Sequence, residues 1–216
     1  MHSGDNTSRT QPSGNERPFP ILRWVGITWL VVWIPAYWHA WGWQNFLHFC
    51  DVAVFLSCVG LWLRGPLLLS SQALASMVPD VVWCVDAGWH WFTGHGVFGG
   101  TEYMWDHSVP LWIRLLSLVH VVLPCVLLYA LAKVGYDRRA LPLQIAICAA
   151  LLVVSRFFGA QLNLNYAYQD PIFHRSWGSA PIQLAAVLAF ISLVFYAPMH
   201  LLFARLFAPA PNRRTL

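Results

Sequence analysis

The sequence predicts an all-α integral membrane bundle of about six transmembrane helices, with both termini in the cytoplasm. Composition is the first reason, because 58% of the 216 residues are hydrophobic and only 10% are charged, against about 25% charged in a typical soluble domain. A soluble chain of this length could not bury so much apolar surface, whereas lipid tails solvate it. The spacing of apolar windows and the distribution of basic residues are the other two reasons.

Six apolar windows have about the 20 residues that an α-helix needs to cross a hydrocarbon core of about 30 Å. They cover residues 21–39, 45–63, 67–91, 111–133, 140–160 and 180–207. Gly65 and Pro66 form a tight turn between the second and third windows. Two connections, 93–110 and 161–179, are longer and polar. The chain is therefore predicted to form one transmembrane domain, 21–207.

The basic residues predict the orientation of this domain. With the amino terminus in the cytoplasm, ten of the thirteen lie on the inner side, and Arg114, Arg156 and Arg175 lie at or near outer ends. Cytoplasmic loops carry an excess of Lys and Arg, so this asymmetry favours an even number of spans in a bacterial cytoplasmic membrane. Residues 1–20, rich in Ser, Asn, Thr, Gly and Pro, are predicted to be a disordered cytoplasmic tail, and 208–216 a short one.

Charge and cysteine usage limit the partners. The net charge is +4, but Lys133 is the only lysine, so nucleic acid is not an expected partner and membrane lipid is. The five cysteines are odd in number, lie in apolar stretches and include no CxxC, a pattern that argues against a disulfide framework. No cofactor or metal is predicted, and the sequence leaves the oligomeric state open.

Ionisable residues inside a membrane are expensive, so they are candidate functional residues. In the second window, His48, Cys50 and Asp51 lie one or two turns below the outer end. The third window carries Asp80 near mid-depth. It also carries Asp86 and His90, which are spaced i, i+4 and therefore share a helix face. This pair could orient an imidazole or supply half of a metal site.

The fourth window carries Arg114 near its outer end and His120 about 13 Å into the helix, where an imidazole must face protein or a water-filled cavity. Arg156 lies near the outer end of the fifth window, and a carboxylate, Asp51 or Asp86, is its expected partner. Asn163 follows in the second long connection.

These side chains are expected to converge on a cavity in the outer leaflet that suits lipid-like substrates. Cys50 is the best nucleophile, because a neighbouring imidazole can activate a thiol. His120 is the expected general base, with His48 as its rival, and Asp51 completes the catalytic set. The substrate-binding set is predicted to be His48, Asp86, His90, Arg114, Arg156 and Asn163.

Other interpretations remain open from the residues alone. Asp51, Asp86 and Arg156 can form a buried ion pair that only locks helix packing, and His120 can be a satisfied core histidine. The chain can therefore be a non-enzymatic lipid-binding or membrane-assembly protein. A metal or haem protein is a further alternative, since two of the nine histidines on facing helices could ligate haem.

Five stretches of the chain resemble a family of uncharacterised bacterial multi-pass membrane proteins. They read NFLHFCDVAVFLSCVGLWL, YMWDHSVPLWIRLLSLVHVVLP, VGYDRRAL, NLNYAY and FYAPMHLLFARLF, and together they run from about residue 45 to 207. The His-x-Cys-Asp pattern is also similar to YwaF-like membrane proteins and, more distantly, to the androgen-induced membrane hydrolases of lipid esters. That resemblance implies Cys50 as nucleophile and His120 as base.

Overall fold

The computed structural model describes residues 19–171 and 173–207, and the regular secondary structure in these ranges is helical throughout. The predicted tails lie outside these ranges, except for Phe19 and Pro20. The α-helices of the described ranges are α1 (Leu22–Trp41), α2 (Phe49–Leu63), α3 (Pro66–Thr93), α4 (Leu111–Leu115), α5 (Val119–Val134), α6 (Ala140–Ser155), α7 (Ala180–Phe190) and α8 (Ala197–Leu206).

Four helical segments of the described ranges are long and apolar enough to cross a membrane, which confirms the all-α fold and indicates a membrane protein. They are Pro66–Thr93, Leu111–Val134, Ala140–Phe158 and Ala180–Leu206. The second joins α4 to α5 through a 3-10 turn at Leu116–Leu118, and the fourth joins α7 to α8 through a π-helical turn at Ile191–Tyr196. α2 is apolar but has 15 residues, and five tryptophans lower the mean hydropathy of α1.

The second predicted helix starts later in the structure than the apolar window suggests. Gly42 ends α1 with φ 80°, a 3-10 turn covers Trp43–Leu47, and His48 is extended before α2 begins at Phe49. The apolar window 45–63 includes the end of this turn because Phe46 and Leu47 are as apolar as helix residues. Hydropathy therefore predicts the length of the apolar segment better than it predicts the residue at which the helix begins.

α3 is the central helix of the bundle. In its most apolar window 56% of the residues are buried inside the protein, against 28% or less in the other three long segments. It packs against α2, α5 and α6. Against α2 the approach is close, because a Cβ added to Gly60 would lie 3.0 Å from the Leu69 side chain. The first half of α3 is buried from Leu69 to Met77, and this burial explains why α3 can carry more polar residues than its neighbours.

Buried polar contacts tie the α2–α3 turn end of the bundle together. The Ser71 hydroxyl donates to Gln144 of α6 at 2.8 Å, and that amide donates to the Tyr196 hydroxyl at 3.3 Å. Tyr136, in the link between α5 and α6, shares a 2.8 Å hydrogen bond with Nδ1 of His200. Nearby, the Arg139 guanidinium holds the pKa of Asp137 below its usual value. These contacts join two stretches, VGYDRRAL and FYAPMHLLFARLF, that are far apart in the sequence.

Large apolar side chains cover much of the outer surface of the bundle. Phe92 is 87% exposed and Phe157 is 81% exposed, and valines and leucines project from every long helix. A soluble monomer rarely exposes contiguous apolar surface on this scale. The exposed surface is therefore suited to contact with lipid tails.

Candidate functional site

A buried polar contact joins α3 to α5. Nδ1 of His120 lies 2.7 Å from a carboxylate oxygen of Asp80, which is 1% exposed. When the carboxylate is ionised it only accepts hydrogen bonds, so Nδ1 is then the donor and a neutral imidazole has its lone pair on Nε2. The hydroxyl of Ser76, one turn earlier on α3, donates to the other oxygen of Asp80. Asp80 therefore orients the imidazole as the acid orients histidine in hydrolytic triads.

This dyad lies at mid-depth of the bundle. α3 has 28 residues, and Asp80 lies about 20 Å from either end at 1.5 Å per residue. The side chain of His120 is 14% exposed. Its Nε2 is neither enclosed nor hydrogen-bonded to any described residue. An oriented imidazole with a free, accessible nitrogen is equipped to accept a proton.

An aromatic side chain of α3 covers the dyad, and a tyrosine of the first long connection contacts it. The indole of Trp83 stacks on the His120 ring with centroids 4.9 Å apart and 25° between the planes. Its Nε1 donates to the hydroxyl of Tyr103 at 3.1 Å. On the α1 side, the Tyr37 hydroxyl shares a 2.7 Å hydrogen bond with Ser117. Burial raises the pKa of Tyr103 above its usual value, so this phenol stays protonated.

The cysteine of the predicted site lies beside an acid. The Cys50 thiol points at a carboxylate oxygen of Asp51 at 3.8 Å, and Asn45 donates to the other oxygen at 2.8 Å. The thiol is also within electrostatic range of Asp80. Nδ1 of His120 is directed to Asp80, and no hydrogen bond joins Cys50 to His120 among the described residues.

Asp86 binds backbone within the protein. One of its oxygens accepts from the N–H groups of Val97 and Phe98, both at 2.6 Å, and of Gly99 at 3.3 Å. The other accepts from the Thr101 hydroxyl. The carboxylate is 1% exposed, and its oxygens lie 3.2 Å from the position of a Cβ on Gly96. It holds the connection 93–110 against the end of α3.

Two further residues of the predicted binding set hold the same connection. The His90 ring stacks on Trp105, with centroids 3.8 Å apart and 4° between the planes. Arg114 donates to the backbone carbonyl of Met104 at 2.6 Å. Asp86 and His90 do not hydrogen-bond to each other, because the carboxylate accepts from backbone N–H groups and Thr101 while the His90 ring stacks on Trp105.

The outer end of α6 contacts the second long connection. Arg156 donates to the carbonyl of Ala167 at 2.9 Å and lies 3.8 Å above the Tyr168 ring. The expected ion pair of Arg156 with Asp51 or Asp86 is absent among the described residues, since these partners satisfy the guanidinium. The side-chain amide of Asn163 closes a turn. Its Oδ1 accepts from the backbone N–H groups of Tyr168 and Gln169, and its Nδ2 donates to the carbonyl of Gln169.

Sequence reasoning missed Asn165, which links three elements. Its Oδ1 accepts from the first N–H of α2 at Phe49, and its Nδ2 donates to Leu47 and to the Ser155 hydroxyl. Asn165 is 4% exposed and has φ 54°, a conformation that asparagine tolerates better than most residues. His48, the extended residue before α2, is half-buried at the same end of the bundle.

No metal-ligand cluster accompanies the dyad in the described part of the chain. Within residues 19–171 and 173–207, no three His, Cys, Asp or Glu side chains converge as a ligand set. Two surface grooves of ≈ 510 and ≈ 530 Å³ flank the segment 19–22, and apolar side chains of α1 and α5 line most of them. Neither groove reaches Cys50 or His120.

Comparisons with protein-family models, with curated proteins and with solved structures each give no match.

Proposed function

We propose that the protein spans a bacterial cytoplasmic membrane six times with both termini in the cytoplasm. Four helices of membrane-spanning length support this proposal, and α1 and α2 form the remaining two spans. With this topology, the links that carry Arg64, Lys133 and Arg138 lie inside, in line with the excess of positive charge in cytoplasmic loops.

Single-cysteine labelling tests this topology. In a variant without its native cysteines, Asp106→Cys in the first long connection is expected to react with a membrane-impermeant maleimide in intact cells. Arg138→Cys, in the opposite link, is expected to react only after the membrane is opened. Labelling of both positions from the same side would contradict six spans.

We propose that the protein catalyses acyl transfer or hydrolysis on a membrane lipid, with His120 as general base. The observation that carries this proposal is the buried Asp80, which holds Nδ1 of His120 and leaves Nε2 accessible at mid-depth. Accepting a proton is the chemistry for which such a dyad is suited. A substrate that reaches this depth must itself dissolve in the bilayer, as a lipid does.

Cys50 is the proposed nucleophile. Gly60 of α2 packs on Leu69 of α3, and the two residues are equally far along the chain from the α2–α3 turn. Other residues at equal distances from this turn therefore lie at the same depth on the two helices, and Cys50 lies at the depth of Pro79, the neighbour of Asp80. The thiol gives its proton to Nε2 of His120, and its sulfur attacks the carbonyl carbon of the lipid ester. The ester bond breaks, a thioester forms, and the leaving alcohol takes the proton from His120. Water or a second alcohol then attacks the thioester and restores the thiol.

Reactivity of Cys50 towards a lipid-like electrophilic probe in detergent-solubilised protein tests this proposal. We expect rapid labelling of Cys50 near neutral pH, and a loss of about 10²-fold or more in His120→Ala, because the base that accepts the thiol proton is removed. Labelling is read by mass spectrometry for each cysteine separately.

Two other cysteines are the matched controls for this experiment. The Cys84 thiol lies 3.7 Å from the backbone carbonyl of His120 and is not hydrogen-bonded to its ring nitrogens, and Cys58 is buried in α2. Both are expected to react slowly and to be indifferent to His120→Ala. If Cys50 reacts no faster than these two, the nucleophile proposal is wrong.

A non-enzymatic lipid-binding or assembly role is the second candidate. It is supported by the internal use of Asp86, His90 and Arg114, which bind the connection 93–110. The apolar grooves beside the segment 19–22 support it as well. Under this alternative, lipid co-purifies with the protein in a fixed ratio that His120→Ala leaves unchanged.

A further inference from the structure

The connection 93–110 contributes one phenol to the surroundings of the dyad. Tyr103 lies in a 3-10 turn, Glu102–Trp105, and its hydroxyl accepts the indole N–H of Trp83 at 3.1 Å. Its ring packs edge-on against Trp41 of α1, with centroids 5.8 Å apart. Tyr103 therefore lies where α1, α3 and the connection meet.

The indole that Tyr103 holds is the one that covers the catalytic imidazole. Trp83 follows Asp80 by three residues, so both side chains point from the same face of α3 towards α5. Asp80 binds the edge of the His120 ring, and Trp83 stacks on its face with 25° between the planes. One contact fixes the position of Nδ1, and the other fixes the plane of the ring.

The connection itself is held firmly at three other points. Asp86 accepts four hydrogen bonds from residues 97–101, Arg114 binds the carbonyl of Met104, and His90 stacks on Trp105. None of these three contacts involves Trp83 or His120. They anchor the turn that carries Tyr103, and Tyr103 is the residue that links the anchored connection to the dyad.

We propose that Tyr103 and Trp83 are positioning residues for His120, through which the connection 93–110 orients the imidazole and shields it from water. This inference rests on the proposed role of His120 as general base. Three titratable groups lie around the imidazole: Asp80 binds Nδ1, the Cys84 thiol lies 3.7 Å from the His120 carbonyl, and the Tyr103 hydroxyl accepts from the indole that covers the ring.

Chemical modification of His120 tests the proposal without an activity assay. Diethyl pyrocarbonate acylates neutral imidazole nitrogens, and peptide mass spectrometry gives a separate rate for each histidine. In Tyr103→Phe the indole N–H loses its acceptor, so we expect His120 to react about fivefold faster, which corresponds to the loss of one hydrogen bond from the closed state. His200, at the other end of the bundle, is expected to keep its rate.

Two substitutions at Trp83 separate positioning from simple destabilisation. Trp83→Phe keeps an aromatic face over the imidazole but loses the donor, so the rate is expected to rise about as much as in Tyr103→Phe. Trp83→Leu also removes the face, so His120 is expected to react faster than in Trp83→Phe, while the exposed His95 of the same protein keeps its rate.

Matched substitutions elsewhere are the controls. Tyr129→Phe changes a half-exposed phenol on α5, and Trp62→Phe removes an indole that donates to the Arg23 carbonyl at 3.2 Å. Both should leave His120 labelling unchanged. The proposal is overturned if Tyr103→Phe and Trp83→Phe also leave it unchanged, or if the controls raise it equally. Because labelling needs no turnover, this failure is distinct from a failure of the lipid chemistry, which His120→Ala reports.

Discussion

Asp80→Asn is expected to slow probe labelling of Cys50 by about 10³-fold while the protein stays folded. A carboxylate accepts the Nδ1–H of His120 and so keeps Nε2 free to take a proton. An amide of the same shape can donate to Nδ1 instead, and this places the imidazole proton on Nε2. The imidazole is then still in place, but its Nε2 carries a proton and cannot accept one from the thiol.

The same substitution at Asp137 is the matched control for Asp80→Asn. Asp137 pairs with Arg139 in the link between α5 and α6, and the arginine is 77% exposed. Asp137→Asn should therefore leave Cys50 labelling unchanged, since exposed ion pairs contribute little to stability. Asp80→Ala is the harsher variant, because it leaves the imidazole and the Ser76 hydroxyl without a partner. If Asp80→Asn labels Cys50 at the wild-type rate, Asp80 has no role in orienting the base.

Asp86→Ala is expected to release the connection 93–110 and to lower the free energy of its local unfolding by about 2–4 kcal/mol. Three backbone N–H groups and one hydroxyl lose a charged acceptor at once. Cleavage within the connection by a soluble protease tracks the population of the open form. We therefore expect cleavage on the order of 10²-fold faster than in the wild type.

Asp106→Ala is the control for Asp86→Ala, because it removes a carboxylate from the same connection. Asp106 is exposed and accepts from the backbone N–H of Ser108 at 2.8 Å. Its removal should change the cleavage rate far less than the removal of Asp86. Equal effects of the two variants would mean that Asp86 does not anchor the connection and is free to bind a substrate.

The sequence identified the membrane-length helices closely because hydropathy is a local property of the chain. The third window was predicted at 67–91 and the helix covers Pro66–Thr93. The fourth was predicted at 111–133 and the segment covers Leu111–Val134. The 3-10 turn at Leu116–Leu118 was not predicted, since a break of this kind depends on contacts such as that between Ser117 and Tyr37.

The candidate site was predicted by residue type but not by pairing. His120 was singled out for its depth, and Asp80 for its place after Pro79, yet their contact joins residues 40 apart in the sequence. Composition and spacing give the depth of a side chain along one helix. They do not give the rotation of one helix against another, which decides the partners of each polar group.

The sequence by itself determined an all-α chain with helices long enough for a membrane, and it placed the ionisable residues along them. The tertiary structure decided that Asp80 orients His120, that Asp86 binds backbone N–H groups, and that Arg156 packs on Tyr168. Helix formation follows from local hydropathy and backbone hydrogen bonding, whereas a buried polar group takes whichever partner the packing of distant segments brings within reach.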